Sequence, residues 1–475
     1  MPTIPKKTKS LNEMNSADII NVTREEIGGT FADQVPMALK EGDTLPNGAR
    51  ATAADSLASL RGIGEVVMTY QPLQNAFLSA LVNRIGRVII TSRLYENPWA
   101  GFKKGLLEYG ETIEEIFVNL AKPYQYDPVK AEDRVFKRRI PDVRAAFHSM
   151  NYQKFYPTTV SNDQLRQAFL SWQGITDLIG KIIEQVYTGA NYDEFLVMKY
   201  MIARAALDGK IHPVNVPAVT ADNARAVTTS MVAQAKKLAY MSSEYNYAGV
   251  KTYTDPRFLY MILTSDVESV FDVEVLALSF NMNKAELIGR QIGVDGFGTF
   301  DTDRLAEIFA DDPYTDYTPF TSAQLTQLST IQGLMVDESW FMIFDNYYNM
   351  TEIYNPEGLY WNYFYHVWKT FSISPFSNAL LFTTVESSVT GVNITPATPT
   401  VAKGTTQPFT ATVETTGFAS KELVWTLDNT ANPTVVLNKD NSVYVPSDAN
   451  NSAVRLTATS VFNPTKFATV TINIS

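Results

Sequence analysis

Ser161-Asn-Asp-Gln164 has the form of a helix capping box, and behind it Leu165, Phe169, Trp172, Ile175, Ile179, Ile182, Ile183 and Val186 recur every three or four residues. A stripe of that width has to be buried along most of its length, so the chain must supply a sheet for the helix to lie against. The spacing predicts a spine helix over about 162–188, with Trp172 in its buried face, and a second helix from Tyr192 to Leu207 that stops near Gly209.

The rest of the first 385 or so residues mixes helix and strand signals, which makes the class α+β. Leu73 to Arg93 reads as helix running into the β-branched strand Val88, Ile89, Ile90. Ala221 to Tyr240 reads as a helix burying Ala224, Val227, Met231, Ala235 and Leu238. Short helices are expected at Val267 to Phe280 and Lys284 to Gly289, and paired strands at Ser339 to Asn346 and Leu359 to Ser372. In the second strand Trp361, Tyr363 and Tyr365 share one face while Tyr360, Phe364 and Trp368 share the other. Aromatics on both faces predict a strand covered on both sides. Stacking on nucleic-acid bases would want interleaved basic residues, and only Lys369 is offered.

The two ends differ from this middle. The first fifty residues hold Lys6, Lys7 and Lys9 and then a Gly- and Pro-punctuated polar stretch with a helical hint at Ser16 to Glu25, which is the pattern of a solvated arm. After Glu386 the composition changes. Val389 to Ser475 has no Met, no His and one Trp, its charges balance at five and five, and Thr occurs 18 times in alternation with Val between regular Gly and Pro. This reads as a small all-β sandwich with Trp425 in its core, a separate domain expected to fold nearly independently.

A chain of 475 residues exceeds one ordinary core, which stops growing at roughly 250 to 300 residues. Its net charge of -11, from 50 acidic and 39 basic side chains, argues against a general affinity for nucleic acid. The absence of cysteine removes disulfides, thiolate metal sites and cysteine nucleophiles together. Neither a secretory signal nor an 18-residue apolar run is found, so a soluble protein made in the cytoplasm is expected, with no membrane contact. Arg84 to Lys154 is locally basic, 13 Lys and Arg against 9 Asp and Glu, and Lys137, Arg138 and Arg139 are candidates for pairing with an acidic neighbour such as the 301–316 region.

No catalytic, cofactor or metal site is expected. His148, His212 and His366 lie far apart and read as hydrogen-bonded structural residues. Gly293-Val-Asp-Gly-Phe-Gly298 fits neither glycine-rich phosphate motif, and no suitable strand is apparent before it. Asp295, Asp301, Asp303, Glu307, Asp311 and Asp312 lack the ligand order of a calcium loop and read as a solvated acidic segment.

The block GLYWNYFYHVWKTFSISPFSNALLF at 358–382 resembles the main capsid domain of phi-29-type short-tailed bacteriophages. The likeness recurs in order through Phe102-Lys-Lys-Gly105, Thr112-Ile-Glu-Glu-Ile116, Val135-Phe-Lys to Ile140-Pro-Asp-Val143, Ala168-Phe-Leu-Ser-Trp172, Phe280-Asn-Met-Asn283 and Trp340-Phe-Met to Phe344-Asp-Asn346. Gly391 to Ser475 is similar to bacterial immunoglobulin-like domains of group two at Gly404, Phe409, Thr410, Ala411, Val413, Trp425 and Leu427, departing at Asp440-Asn-Ser-Val443, where a glycine usually precedes the valine. The resemblance implies an HK-97-type capsid fold divided as 1–70 arm and lead-in, 71–388 capsid domain with an extended loop at about 88–159, and 389–475 immunoglobulin-like sandwich. It also implies a homo-oligomer of pentamers and hexamers in a virion shell, a scaffolding partner, a portal at one vertex and weak contact with packaged double-stranded DNA. Assembly candidates are Lys137, Arg138, Arg139, Trp172, Trp361, Trp368 and Trp425. A bacterial surface adhesin or surface-layer protein carrying a terminal immunoglobulin-like module is the alternative.

Overall fold

The computed structural model describes residues 15–70, 72–77, 80, 96–107, 112–126, 138, 141–170, 174–272, 290–310, 312, 315 and 317–475. Among the described residues eleven strands build the body: β1 (Lys103–Leu106), β2 (Ile113–Val118), β3 (Val143–His148), β4 (Tyr152–Ser161), β5 (His212–Asn215), β6 (Leu259–Thr264), β7 (Gln291–Val294), β8 (Ile331–Asp337), β9 (Phe341–Asn355), β10 (Tyr360–Ile373) and β11 (Ala379–Thr383).

The first body sheet has the order β1-β9-β10-β4, and its two longest strands, β9 and β10, are the antiparallel pair expected from the aromatic block. From Tyr360 to Lys369 of β10 the burial alternates: Trp361, Tyr363, Tyr365 and Val367 are buried, while Tyr360, Phe364 and Trp368 are half-buried. The strand is therefore covered on one face rather than equally on two. The spine helix Gly174–Leu207 lies on that face, with Tyr187 and Tyr365 rings 4.6 Å apart. Two short parts of the span expected as an extended loop belong to this sheet, because β1 pairs with β9 and β4 pairs with β10 from Tyr152↔Lys369 to Ser161↔Tyr360.

The capping box does form at Ser161, but its helix ends after one short run, Asn162–Ala168. Phe169 is drawn onto the Phe77 ring at 5.5 Å and onto Gly64, where even a methyl group would lie 2.7 Å from its Cβ. The spine helix is described from Gly174. It then runs unbroken through Gly189 and Asn191, merging the two helices expected from the sequence. The cost of an interior glycine, about 1 kcal/mol, is outweighed by burial of Val186, Tyr187 and Ala190 on the sheet side. The helix ends as anticipated at Gly209, whose φ of 69° accompanies bonds from Gly209 N to Ala206 O at 3.0 Å and from Lys210 N to Ala205 O at 2.8 Å.

The second sheet, β5-β11-β8-β6-β7, separates two apolar layers by strand alternation. Met261, Leu263, Met335, Leu380 and Phe382 face the helix Ala224–Leu238, whose five anticipated positions are all buried. Ile262, Leu334, Val336 and Leu381 face the main core. The lead-in is not a solvated arm over its described part. Asn15 caps the helix Ser16–Ile27, Thr52 caps the helix Ala53–Thr69, and Ala17, Ile19, Ile20, Leu60, Ile63 and Val67 are buried in the same core. Lys6, Lys7 and Lys9 lie outside the described residues, as do Val88 to Ile90 and the segment 273–289.

Nine further strands form the C-terminal module: β12 (Ser388–Thr395), β13 (Thr400–Val401), β14 (Thr405–Pro408), β15 (Thr410–Thr416), β16 (Leu423–Asp428), β17 (Val436–Leu437), β18 (Ser442–Val445), β19 (Val454–Ser460) and β20 (Phe467–Ile474). They enclose a core of their own around Val435, Val443, Leu456, Ala458 and Ile472. The module is joined to the body by more than its linker, for Phe418 is buried in the body's core.

Candidate assembly surfaces

β2 and β3 pair antiparallel from Ile113↔His148 to Val118↔Val143 and form a hairpin that packs on the body by one face only. The alternation of strand side chains sorts its residues cleanly. Ile113, Glu115, Phe117, Ala146 and His148 lie on the inner face, where Phe117 stacks on Phe376 at 5.6 Å and Arg144 Nη1 donates to Ala248 O at 2.5 Å. On the outer face Ile116, Val118, Val143 and Phe147 are 59 %, 57 %, 52 % and 68 % exposed. Four large apolar side chains on a two-stranded ribbon make a face that a single subunit leaves uncovered.

The root of the hairpin is fixed by a polar latch. His148 is 3 % exposed, and its Nδ1 lies 2.7 Å from Ser372 Oγ and its Nε2 3.3 Å from Glu115 Oε2. Glu115 Oε1 accepts from Ser374 Oγ at 2.7 Å, and the chain continues through Ser377 and Ser339 to Asp337. Buried polar groups that are all partnered hold one geometry, since any shift leaves some of them unsatisfied. Sequence reasoning missed this group because its members are separated by 33 and 224 residues and none forms a motif.

Three polar clamps seat the spine helix. Glu194, on its sheet side, contacts the Lys369 ammonium of β10, meets Lys103 of β1 at 3.4 Å and accepts from Asn97 Nδ2 at 2.7 Å, while Asp345 of β9 completes two acids against two lysines. A buried set of this kind adds little net stability but penalises every other register. Lys199, 1 % exposed, reaches Asp295 Oδ1 and Thr299 O at 2.6 Å each, and its burial pulls its pKa below the usual lysine value despite Asp295. Asp193 is held by Arg304 and by the Tyr156 hydroxyl.

These contacts alter two expectations. The acidic segment is not simply solvated: Asp295 pairs with Lys199, Asp312 with Lys154 at 2.7 Å, and Asp301 caps the helix Thr302–Ile308. A strand, β7, does precede the glycine-rich loop, but the loop is filled by protein, with Lys199 at Asp295 and Leu325 O 2.8 Å from where a Gly298 methyl would stand. The histidines each have a neighbour: His148 in the latch, His366 Nε2 3.1 Å from Thr351 Oγ1, and His212 3.8 Å from Glu244. Among the described residues no cluster of His, Asp and Glu could hold a metal ion, and no helix is long and apolar enough to cross a membrane.

Of the residues singled out from sequence, Arg138 is exposed, whereas Lys137, Arg139 and Trp172 lie outside the described residues. Trp361 is buried between sheet and spine helix, with Tyr354 at 5.1 Å, and Trp368 is half-buried on the opposite face beside Tyr347 at 4.8 Å. Trp425 is half-buried against the module's core. The structure thus does not gather these residues into one site.

A helical lead-in, a paired hairpin, a spine helix on a long-stranded sheet and a second sheet beside it make an α+β body that carries a separate β-rich module. The chain belongs to the Phi29-like phage major capsid protein family, which matches residues 20–383, and residues 388–445 match the bacterial Ig-like domain of group 2. It is 33% identical over 458 residues to the major capsid protein of Bacillus phage B103, covering 94% of this chain and 91% of the relative. It is likewise 33% identical over 432 residues to that of Bacillus phage PZA, covering 90% and 86%. Among solved structures it is similar to the capsid of Staphylococcus phage Andhra, with 16% identity, a TM-score of 0.46 and coverage of 62% of this chain and 86% of the other. For the capsid of cyanophage P-SCSP1u the values are 8%, 0.43, 62% and 89%.

Proposed function

We propose that this major capsid protein closes an icosahedral or prolate shell by laying the outer face of its β2–β3 hairpin on a second copy of itself. The observation that carries the reading is the uncovered row Ile116, Val118, Val143 and Phe147 on a ribbon whose root is locked to the body. A shell subunit works through its edges, and pentamers and hexamers demand that one contact serve at slightly different angles. An apolar strip on a two-stranded ribbon suits that need, because apolar contact is not directional. Each contact can be modest when several neighbours hold the same subunit.

The shell so built encloses double-stranded DNA with weak contact, in keeping with a charge of -11, since strong binding along the wall would oppose packaging and release. Assembly in the host cytoplasm would use a scaffolding partner and a portal at one vertex. Arg138, with its neighbours Lys137 and Arg139, serves as a basic contact to an acidic region of another subunit. The immunoglobulin-like module stands on the outer surface as decoration or host contact, because a sandwich inside would occupy genome volume and its balanced charge offers DNA nothing.

Negative-stain microscopy of the protein expressed with and without its scaffolding partner tests the main reading. Closed shells or tubes are expected, and a persistent monomer without lattice tendency would overturn it. Protease treatment of intact virions tests the module's position: an outer module is clipped while the shell survives, and a module protected until the capsid breaks is internal.

A further inference from the structure

Phe418 sits in the turn between β15 and β16 of the module, yet it is 1 % exposed and its phenyl ring is part of the body's apolar core, not the module's own. The turn around it is fastened to the body at several points. Gln327 Nε2, on the helix Ser322–Leu328, donates to Gly417 O at 2.6 Å, and Phe418 N donates to Ser387 Oγ at 2.9 Å. At the far end of the turn, the Tyr247 hydroxyl donates to the Glu422 carboxylate. At the end of the spine helix Gly209 meets the same turn backbone to backbone, for a methyl group there would lie 2.6 Å from Ser420 Cα and 2.8 Å from Ala419 O. Gly209 is thus needed twice, once for its φ of 69° and once for this approach.

We infer that the Gly417–Glu422 turn is a plug that completes the body's core, which makes the immunoglobulin-like module a fixed brace on the second sheet and the spine helix rather than a tethered attachment. A tether would need only the linker near Ser388 and would leave the module's turns to solvent. Here an aromatic anchor enters a core whose other members all come from residues 17–381. The module therefore cannot swing without vacating a core position, and the body is not fully packed until the module has folded. In an assembled shell every copy then carries its module at one fixed angle to the body. The inference concerns a single subunit and stands whether the module faces outward or inward.

Hydrogen exchange followed by mass spectrometry on the full chain tests it, using Phe418→Ala, Phe418→Leu and, as a control of the same residue type, Phe467→Ala, whose ring is 58 % exposed on the module. The peptides to follow are the end of the spine helix, 200–209, and the helix Ser322–Leu328. Phe418→Ala is expected to speed exchange in both at least about tenfold, because these segments lose the contact that seals them. Phe418→Leu, which keeps most of the apolar volume, should raise it about two- to fourfold, and Phe467→Ala should leave it unchanged. Unchanged body peptides in Phe418→Ala would overturn the plug, as would an equal rise in Phe467→Ala. If Phe418→Ala is not recovered as soluble protein, Phe418→Leu decides: accelerated body peptides support the plug and wild-type rates refute it.

Discussion

Arg304 grips Asp193 with two parallel hydrogen bonds, Nε to Oδ1 and Nη2 to Oδ2, each 2.8 Å long. Asp193, 2 % exposed on the spine helix, also accepts from the Tyr156 hydroxyl of β4 at 2.8 Å. One carboxylate therefore joins helix, first sheet and acidic segment. The hydrogen bonds to Asp193 raise the arginine pKa further above its usual value, while burial, then Tyr152 and Asp193, push the Tyr156 phenol well up. Asp193→Ala leaves the Arg304 guanidinium only Glu307 at 3.1 Å and the Tyr156 hydroxyl only Tyr152 at 2.9 Å, and the expected loss is about 1–3 kcal/mol. A urea midpoint for the unassembled subunit within error of wild type would contradict this.

The hairpin separates folding from assembly. Ile116→Glu places a charge in the middle of the outer apolar row, opposite Ala145, without touching the body, so subunit stability should stay within about 0.5 kcal/mol. Shell formation should fail or drop at least about tenfold, as a charge buried unpaired at an interface costs far more than one left in water. Sedimentation of assembly reactions beside a melting curve of the free subunit gives both answers. Normal shells from this variant would mean that the row faces solvent in the lattice.

The latch predicts a different outcome. His148→Ala removes the group between Ser372 and Glu115, leaving two half-buried polar side chains short of a partner at a cost of about 1–2 kcal/mol. The hairpin should stay paired but lose its fixed angle. Hydrogen exchange should rise across Ile113–Val118 and Val143–His148 more than in β9 and β10, and shells should become irregular in size. A uniform rise over the whole body would assign His148 an ordinary core role.

Local signals in the sequence carried far for elements whose partners are near in the chain. Ala224, Val227, Met231, Ala235 and Leu238 all proved buried, and the Ser161 cap and the Gly209 stop both formed. Pairing of β9 with β10 was legible because only a short turn separates them. What stayed hidden depends on contacts between distant residues. Just past the helix end at Ala168, Phe169 meets Gly64 and Phe77, and continuity across Gly189 comes from a sheet that local propensity does not register. The latch and the plug are hidden for the same reason: Glu115, His148 and Ser372, or Phe418 and Gln327, are unremarkable residues until the fold brings them together.

Acid should loosen the junction between body and module. His212 lies there in edge contact with Tyr245 at 5.4 Å and near Phe462 at 6.0 Å. Burial holds its pKa below the usual histidine value, against the opposing pull of Glu244, with Arg144, Lys210, Tyr247 and Glu422 the other ionisable groups around the same cavity. The unfolded chain thus takes up this proton first as pH falls. The stability that neutral His212 contributes is complete above about pH 6.5 and is lost as pH drops below that value towards the folded pKa. The melting temperature should fall between about pH 7 and pH 5 by more in wild type than in His212→Asn. Parallel curves would show that other groups set the acid response.

A chain ending at Ser388 is the most demanding test of how the two units depend on each other. The composition break after Glu386 and the module's closed core favour independence, and on those grounds alone the truncated body would assemble as well as the full chain. The junction argues otherwise. Truncation removes Phe418 from the body's core and takes the partners of Gln327 Nε2 and the Tyr247 hydroxyl with it. Loss of a buried phenyl alone costs about 3–5 kcal/mol, against a typical total of about 5–15 kcal/mol. The truncated subunit should therefore melt lower, be cut by protease near the end of the spine helix around Gly209, and give fewer closed shells than wild type at equal concentration. A full chain carrying Phe418→Ala should reproduce most of that loss while keeping the module folded. Wild-type yield and protease resistance from the truncated chain would mean that the plug fills space the body can close without it.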